Sequence, residues 1–455
     1  MARTLLLKNA DVVVTMNDAR TEIARGAVLI RGNEIAAVGP TSELERAVAD
    51  EPIDETIDLS GHVVMPGMVN THHHFFQTLT RALPRGQDAE LFDWLSLHYP
   101  VWAGITPEMI QVSALTAMAE MMLSGCTTTS DHQYLYVNGS TLDDSIGAAA
   151  EIGMRFHAAR GAMTVGASQG GLPPDRITET ESAVLRDYRR LVEAYHDESR
   201  HAMLRIVFAP CSPFSVSQGF MRETLALGRH FKVQLHTHLA ENDTDVTYTR
   251  EHFKCTPAEY CEALEWLGPD VWHAHCVKLD PHGIARFAAT GTGVAHCPSS
   301  NMRLASGIAP IRAMLDAGVP VSIAVDGSAS NDCSHYLNEV RQAMLLARVG
   351  YGPGAMSARE ALECATLGGA RVLNRDDIGR IAPGMSADVV AFDVRGIDFA
   401  GGQHDPVAAL VFCAPSRVAL SIINGRVVVR GGELSTLDLP KHVARHNRLS
   451  RILAG

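Results

Sequence analysis

Short apolar runs alternate with amphipathic stretches through the middle of this 455-residue chain. Segments such as Pro107–Leu123 and Thr178–Tyr195 place apolar residues three or four positions apart, which is typical of helices that bury one face. Between such segments, eight apolar runs have the length of buried strands: residues 64–72, 126–132, 154–160, 204–211, 232–239, 270–276, 292–297 and 320–326. Eight strands that alternate with helices predict an α/β protein whose centre is a (β/α)₈ TIM-type barrel.

The two ends of the chain carry a different pattern, in which short β-rich runs are separated by turns. Residues 12–16 and 27–30 near the start, and residues 387–392 and 420–423 near the end, are such runs. We therefore predict a small β-sandwich built from both ends of the chain. The expected boundaries are residues 1–62 and 376–440 for the sandwich, 63–375 for the barrel and 441–455 for a C-terminal helical tail.

Composition and charge narrow the classes of function. No apolar run approaches the ~20 residues of a membrane span, and residues 1–8 lack the long apolar region and cleavage site of a signal peptide. We therefore expect no association with a membrane. A formal charge of −12 argues against nucleic-acid binding but leaves a free nucleobase open as a substrate. Nine cysteines without a C-x-x-C pair predict reduced thiols and a cytoplasmic location.

Four of the apolar runs end in side chains that bind metals or transfer protons. The candidates are His72 with His74, His236 with His238, His273 with His275, and Asp326. Residues i and i+2 of a strand point to the same side, so spacing alone does not choose between His236 and His238. For any single run, a hydrogen-bonded core histidine or a turn aspartate explains the residue at least as well as a functional role does. Four of them predict a metal-dependent active site, because a barrel gathers its polar strand ends on one face.

Longer motifs extend over essentially the whole chain. They are Pro66-Gly67 ahead of His72-His73-His74, His238-Leu239-Ala240-Glu241, His275-Cys276, His296-Cys297-Pro298-Ser299-Ser300-Asn301, Val325-Asp326-Gly327 and Gly379-Arg380-Ile381-Ala382-Pro383-Gly384-Met385-Ser386-Ala387-Asp388. In these motifs the chain resembles the amidohydrolase superfamily, specifically its branch of cytosine, guanine and triazine deaminases. The resemblance implies the barrel and sandwich architecture and a metal-dependent hydrolase.

The resemblance also implies which residues hold the metal, namely His72, His74, His238 and Asp326. It selects His238 rather than His236 because the family's ligand lies three residues before a glutamate. Binuclear members of the superfamily use a modified lysine on the fourth strand, which residues 204–210 lack, so a single divalent ion is expected. Three imidazoles and one carboxylate favour Zn²⁺, and Fe²⁺ is also compatible. His73 points to the opposite face of its strand, where packing or hydrogen bonding outside the lumen is expected.

Three residues receive catalytic roles from the resemblance. A divalent ion lowers the pKa of its water from ~15.7 to about 7, so that the water can attack at neutral pH. Glu241 would protonate the ring nitrogen next to the attacked carbon, which requires a raised pKa. Asp326 would move a proton from the water to the leaving ammonia. His275, chosen over His273 because the family's histidine precedes a cysteine, would hydrogen-bond the attacking oxygen.

Substrate contacts are predicted at three further positions. Gln77 follows the histidine cluster and carries the paired donor and acceptor that suit a ring amide. Trp94 could line a flat pocket, and Arg160 at the end of the third strand could face a ring carbonyl. Each has a structural alternative: loop packing for Gln77, helix packing for Trp94 and a salt bridge for Arg160.

The reaction implied by the resemblance is hydrolytic deamination of a 2-amino-oxopurine. The favoured substrate is 8-oxoguanine, which would yield urate and ammonia. Guanine, isocytosine, isoxanthopterin and hydroxyatrazine (with loss of its N-ethyl amine) are the alternatives. A non-catalytic scaffold on the same fold is a remote alternative, because such proteins have lost metal ligands that this chain keeps. A small nucleobase-like molecule is the expected partner, and a homo-oligomer is the expected assembly.

Overall fold

The computed structural model describes residues 3–455; Met1 and Ala2, at the start of the expected N-terminal domain, lie outside the described residues. Its centre is a parallel sheet of eight strands, each hydrogen-bonded to the next in chain order. The barrel strands are Met68–Asn70, Cys126–Gln133, Arg155–Ala162, Leu204–Pro210, Gln234–Leu239, Val271–His275, Gly293–His296 and Val321–Ile323. The predicted (β/α)₈ barrel is confirmed.

Contacts between the first and last strands bring the barrel close to full closure. The hydroxyl of Tyr336 lies 2.7 Å from the carbonyl oxygens of both Val69 and Ile323. The Asp326 backbone N–H donates to the His72 carbonyl at 3.2 Å. These bonds place the ends of the first and eighth strands side by side.

Helices surround the barrel and follow its strands. The α-helices are Thr41–Ala47, Leu91–Trp102, Pro107–Leu123, Leu142–Ile152, Glu181–Tyr195, Gln218–Phe231, Asp243–Phe253, Pro257–Ala263, Pro281–Thr290, Pro298–Arg303, Ile311–Ala317, Tyr336–Tyr351, Ala358–Glu363, Gly369–Val372, Pro406–Phe412 and Leu439–Ala454. Short 3₁₀ turns cover Phe75–Thr80, Pro84–Gly86, Ala167–Gln169, Asp175–Ile177 and Ile397–Phe399, and Cys364–Gly368 is π-helical. None of the helices in residues 3–455 is long and apolar enough to span a membrane.

Both ends of the chain build one mixed sheet of nine strands beside the barrel. Its strands are Thr4–Val14, Glu22–Arg31, Glu34–Pro40, Glu55–Asp58, His62–Pro66, Val389–Asp393, Leu420–Ile423, Arg426–Arg430 and Glu433–Leu434. Leu5, Val28, Val64, Val389 and Ile422 belong to one buried apolar cluster of this sheet. The N- and C-terminal segments therefore share a core, as the predicted sandwich requires.

The run expected to form one strand over residues 64–72 is two strands in two different sheets. His62–Pro66 pairs with Val389–Asp393 in the terminal sheet, whereas Met68–Asn70 pairs with the second barrel strand. Gly67 lies between them, and a Cβ atom there would lie 2.0 Å from Oγ1 of Thr127. Only glycine lets the backbone pass this close to the barrel wall. The terminal sheet therefore runs to Pro66 rather than ending at residue 62.

The C-terminal helix Leu439–Ala454 packs near the face where the barrel strands end. Nε2 of His446 lies 3.0 Å from Oγ1 of Thr78, and the Ser450 hydroxyl donates to the Leu79 carbonyl at 2.7 Å. Both partners belong to the 3₁₀ turn Phe75–Thr80, which also carries Gln77. The tail thus supports the segment that follows the histidine cluster.

Candidate active site

The strand ends bring four predicted metal ligands together at one end of the barrel. Nε2 of His74 lies 3.1 Å from Nε2 of His238. Oδ1 of Asp326 lies 3.4 Å from Nε2 of His72 and 3.4 Å from Nε2 of His74. The side chains of His72, His74 and Asp326 are nearly inaccessible to solvent, and that of His238 is partly exposed. The first, fifth and eighth strands therefore contribute to a single buried donor set.

Hydrogen bonds fix which nitrogen of each histidine is free. Nδ1 of His74 donates to the His132 carbonyl at 2.7 Å, and Nδ1 of His238 donates to the Cys211 carbonyl at 2.6 Å. Nδ1 of His72 lies 2.8 Å from Nε2 of His236. A carbonyl can only accept, so the Nε2 atoms of His74 and His238 keep their lone pairs. This is the second-sphere arrangement typical of metal-binding histidines.

The donor set fits a divalent metal ion. A tetrahedral ion with ligands at about 2.0–2.1 Å requires ligand atoms about 3.3–3.4 Å apart, and three of the six separations, His74–His238, His72–Asp326 and His74–Asp326, are 3.1–3.4 Å. Nε2 of His72 is buried and has no hydrogen-bond partner among residues 3–455. Leaving such an atom unsatisfied costs on the order of 1–3 kcal/mol. A bound ion would remove that cost.

Burial makes the candidate ligand imidazoles neutral, as a metal ligand must be. Burial lowers the pKa of His238 to about 3, and neighbouring imidazoles act in the same direction. The pKa of His72 lies well below its usual range, again mainly because of burial. For Asp326, burial alone would raise the pKa, but the close approach of His72 and the nearby His275 and His74 hold it well below its usual value. The site thus combines neutral imidazoles with a carboxylate.

A buried carboxyl group lies next to the donor set. Oε2 of Glu241 is 3.4 Å from Nε2 of His275. Burial raises the pKa of Glu241 to about 7; His275 opposes this shift, while Asp326 and Asp245 add to it. The other ring nitrogen of His275 lies 3.0 Å from Oδ1 of Asn301. A carboxyl group that titrates near neutrality therefore faces an imidazole held by an amide.

Two of these residues have backbone conformations that non-glycine residues rarely adopt. His275 has φ of 71° and Asp326 has φ of 61°, both in the left-handed region. Each such residue costs on the order of 1–3 kcal/mol. The surrounding bonds that hold them include Asn301 on His275 and the Gly327 N–H, which donates to Oδ1 of Asp326 at 2.6 Å. Strain of this kind is common at functional sites.

A cavity opens onto the donor set. Its lining combines the polar residues His74, Gln77, Ser212, His238, Glu241, His275, Asp326 and Ser330 with Leu91, Trp94, Leu95, Tyr99, Tyr134, Cys211, Phe214 and Leu304. The Gln77 amide is held at both ends: its Nε2 donates to the Tyr134 hydroxyl, and its Oε1 accepts from the Ala329 N–H, both at 3.3 Å. Trp94 donates its indole N–H to the Ala329 carbonyl at 3.2 Å. Gln77 and Trp94 therefore line the cavity beside the donor set.

The substrate contact expected for Arg160 is wrong, and the salt-bridge alternative is correct. Its guanidinium binds Glu179 at 2.7 Å and Asp187 at 2.9 Å, and it stacks 3.6 Å above the Tyr136 ring. Arg160 is absent from the cavity lining described here. Phe156, Ala158 and Ala162 share its face of the strand and pack against the helices, whereas Ala159 faces the lumen. The alternation along the strand thus directs Arg160 away from the site.

The remaining histidines lie around the donor set. His73 points away from it, and its Nε2 lies 3.0 Å from the Ser334 hydroxyl. His132, at the end of the second strand, is not among the predicted site residues, yet its ring stacks on that of His238 with centroids 4.8 Å apart. His132 donates through Nε2 to the Ala209 carbonyl at 2.9 Å. Asp131 and His132 end the apolar run 126–132, just as the predicted site residues end their runs, so the same pattern could have indicated His132.

Comparison with known proteins gives the family. The model of the amidohydrolase family matches residues 63–428, and the chain belongs to this family. The chain is 41% identical to 8-oxoguanine deaminase of Pseudomonas aeruginosa over 100% of both chains. It is 38% identical to hydroxydechloroatrazine ethylaminohydrolase of Pseudomonas sp. strain ADP, covering 96% of this chain and 92% of that one. Isoxanthopterin deaminase from an unknown prokaryotic organism is also 38% identical, covering 93% and 92%.

A solved structure agrees with this assignment. Atrazine chlorohydrolase from Arthrobacter aurescens TC1, complexed with zinc, superposes with a TM-score of 0.93 at 31% identity, covering 99% of this chain and 100% of that one. The comparisons therefore agree with the observed fold, a barrel with a terminal sheet, and with the family membership.

Proposed function

We propose that this protein is a hydrolytic deaminase of 2-amino-oxopurines and that 8-oxoguanine is its preferred substrate. The observation that carries the proposal is the position of Glu241. A buried carboxyl group with a pKa near 7 lies beside a donor set that fits a divalent ion, in a cavity whose apolar and aromatic side chains stand opposite polar ones. Deamination of a cyclic amidine needs this pair: an activated water and a group that can protonate the ring.

We infer one divalent ion per chain, most compatible with zinc, held by His72, His74, His238 and Asp326. Three neutral imidazoles and a carboxylate suit zinc, and Fe²⁺ is also compatible. The end of the fourth strand presents Pro210 and Cys211 instead of a lysine that would bridge two ions. When bound, the ion would activate a water molecule for attack at neutral pH.

The protein's own groups supply the proton transfers. Glu241 enters the reaction protonated and gives its proton to the ring nitrogen beside the carbon that bears the amine. His275 hydrogen-bonds the attacking oxygen. Asp326 accepts a proton from the water and passes it to the departing amine. The C–O bond forms first and makes the attacked carbon tetrahedral; the C–N bond then breaks as the new hydroxyl returns its proton to Glu241, so water and the amino compound give a ring carbonyl and ammonia.

The cavity has groups that suit the two rings of 8-oxoguanine. Gln77, fixed by Tyr134 and Ala329, keeps one N–H and one lone pair for the amide edge of the six-membered ring. Ser215 donates to the Ser212 carbonyl at 3.1 Å, and the two hydroxyl oxygens lie 2.8 Å apart. Ser212 then donates to Ser215 and presents lone pairs to the cavity. Such an acceptor matches the N7–H of 8-oxoguanine and disfavours guanine, whose N7 is itself an acceptor.

An amine-release screen tests this proposal. The zinc-loaded protein is assayed for ammonia from 8-oxoguanine, guanine, isocytosine and isoxanthopterin, and for ethylamine from hydroxyatrazine. We expect the highest kcat/KM with 8-oxoguanine and measurable turnover of isocytosine, which has the same 2-amino-4-oxo ring. Efficient release of ethylamine without ammonia from 8-oxoguanine would contradict the substrate assignment. A cytoplasmic location and a homo-oligomeric assembly stay predictions from the sequence.

A further inference from the structure

We propose that His236 is a positioning residue that holds His72 in the tautomer able to bind metal through Nε2. The proposal rests on the metal site proposed above. His236 and His72 are both buried, and Nε2 of His236 lies 2.8 Å from Nδ1 of His72. His236 is thus the direct hydrogen-bond partner of a candidate ligand.

The direction of each hydrogen bond follows from one carbonyl group. Nδ1 of His236 lies 2.9 Å from the carbonyl oxygen of Trp272, which can only accept. Nδ1 of His236 must therefore carry a proton. The ring is buried, and among residues 3–455 its nitrogens bond only to the Trp272 carbonyl and His72 rather than to a carboxylate, so the ring is neutral. Its Nε2 is then an acceptor, and Nδ1 of His72 must be the donor. The lone pair of His72 remains on Nε2, the buried atom that has no hydrogen-bond partner in the part of the chain that the structure describes.

The same chain of bonds explains why His236 is not itself a ligand. Its Nε2 lone pair is used by His72, and its Nδ1 is used by Trp272. The His236 ring also stacks on the Trp272 ring, with centroids 4.5 Å apart and planes 16° apart. Stacking and hydrogen bonding together hold the ring in one orientation. Strand spacing alone does not distinguish His236 from His238. In this proposal His238 binds the metal and His236 orients His72.

Among the three candidate imidazole ligands, His72 depends on a side chain for this control. His74 and His238 donate to the backbone carbonyls of His132 and Cys211, which no substitution removes. One substitution at His236 therefore tests the contribution of an outer hydrogen bond to metal binding. Loss of such partners typically weakens metal affinity by about 10–100-fold.

Three variants separate hydrogen bonding from packing. His236→Leu removes the acceptor, and His236→Gln keeps a side-chain oxygen that can accept from His72. His273→Leu is the matched control, because His273 is also buried on a barrel strand, donates to the Trp266 carbonyl at 3.2 Å and packs on Phe287 away from the donor set. Zinc affinity is measured by chelator competition, and the cobalt-loaded protein is examined by visible absorption. Thermal unfolding of the metal-free variants checks their folding.

We expect His236→Leu to bind zinc about 10–100-fold more weakly than the wild type and to show an altered cobalt spectrum. His236→Gln is expected to recover most of the affinity, and His273→Leu to bind zinc as the wild type does. Equal affinity of His236→Leu and the wild type, or equal losses in His236→Leu and His236→Gln, would overturn the proposal. If His236→Leu does not fold, His236→Asn, whose amide is too short to reach His72, replaces it. Wild-type protein that binds no zinc would instead refute the metal site itself.

Discussion

Oε2 of Glu241 lies 3.4 Å from Nε2 of His275, across the ends of two adjacent barrel strands. Both side chains are almost fully buried. Burial raises the pKa of Glu241 to about 7, and the negative charges of Asp326 and Asp245 support that shift. Burial would lower the pKa of His275, but the nearby carboxylates of Glu241 and Asp326 raise it. The raised pKa leaves a substantial protonated fraction of Glu241 near neutral pH.

The first prediction concerns Glu241→Gln, which keeps the size of the side chain and removes its proton. We expect the variant to retain metal, because Glu241 is outside the donor set, and to lose kcat by at least ~10²-fold. Metal content and kcat on 8-oxoguanine are measured on the same preparation. Turnover within a few-fold of wild type would show that the ring proton comes from another group.

The second prediction concerns pH. Because the pKa of Glu241 is raised to about 7, the required protonated form is abundant below pH 7 and declines above it. We therefore expect kcat/KM to fall about tenfold per pH unit on the alkaline side, with a midpoint near 7. In Glu241→Gln the residual rate should lack this alkaline decline. A wild-type profile that keeps rising through pH 8 would exclude a protonated Glu241 as the acid.

The strand ends were predictable because each apolar run ends close to where the structure ends it. Residues 126–132 and 232–239, for example, correspond to the strands Cys126–Gln133 and Gln234–Leu239. A parallel barrel brings such ends together, so the histidine and aspartate candidates could be grouped before the structure was known. The sequence could not show that the chain passes from one sheet to another at Gly67, since both strands are equally apolar.

The third prediction concerns Gln77→Leu, which removes the amide that Tyr134 and Ala329 hold over the cavity. When a site forms hydrogen bonds to a substrate group, it can discriminate by as much as ~10⁴-fold against an analogue that lacks the group. We expect kcat/KM to fall for 8-oxoguanine, guanine and isocytosine alike, because all three have the 2-amino-4-oxo edge. Tyr134→Phe is the comparison, since it removes one support and leaves the amide, and its loss should be smaller. An unchanged substrate profile in Gln77→Leu would show that Gln77 packs within its loop and does not bind the substrate.

The fourth prediction concerns the second ring of the substrate. If Ser212 accepts from N7–H, Ser212→Ala should lower kcat/KM for 8-oxoguanine by about 10-fold, the lower range for one missing contact. Isocytosine has no second ring, so its kcat/KM should stay within about twofold of the wild-type value. A Ser215→Ala variant should give a smaller loss, because Ser215 acts only by orienting the Ser212 hydroxyl. Equal losses for 8-oxoguanine and isocytosine would indicate a general disturbance of the cavity.

The parts of the site that the sequence could not place are those that depend on neighbours across the barrel. Alternation along a strand tells which residues share a face but not which face is the lumen, so Arg160 was assigned to the site although Glu179 and Asp187 bind it outside. The hydrogen-bond partner of a buried histidine also depends on how the barrel closes. His72 and His236 lie 164 positions apart in the chain and meet only when the first strand is placed beside the eighth.

The central claim is that one metal ion in this barrel supports deamination of 8-oxoguanine. The most direct measurement titrates zinc into metal-free protein and follows urate by absorbance and ammonia by a coupled assay. We predict that the rate rises linearly, reaches its maximum at one zinc per chain and yields one ammonia per urate. No turnover of 8-oxoguanine at full zinc loading, or a maximum only at two ions per chain, would contradict the account.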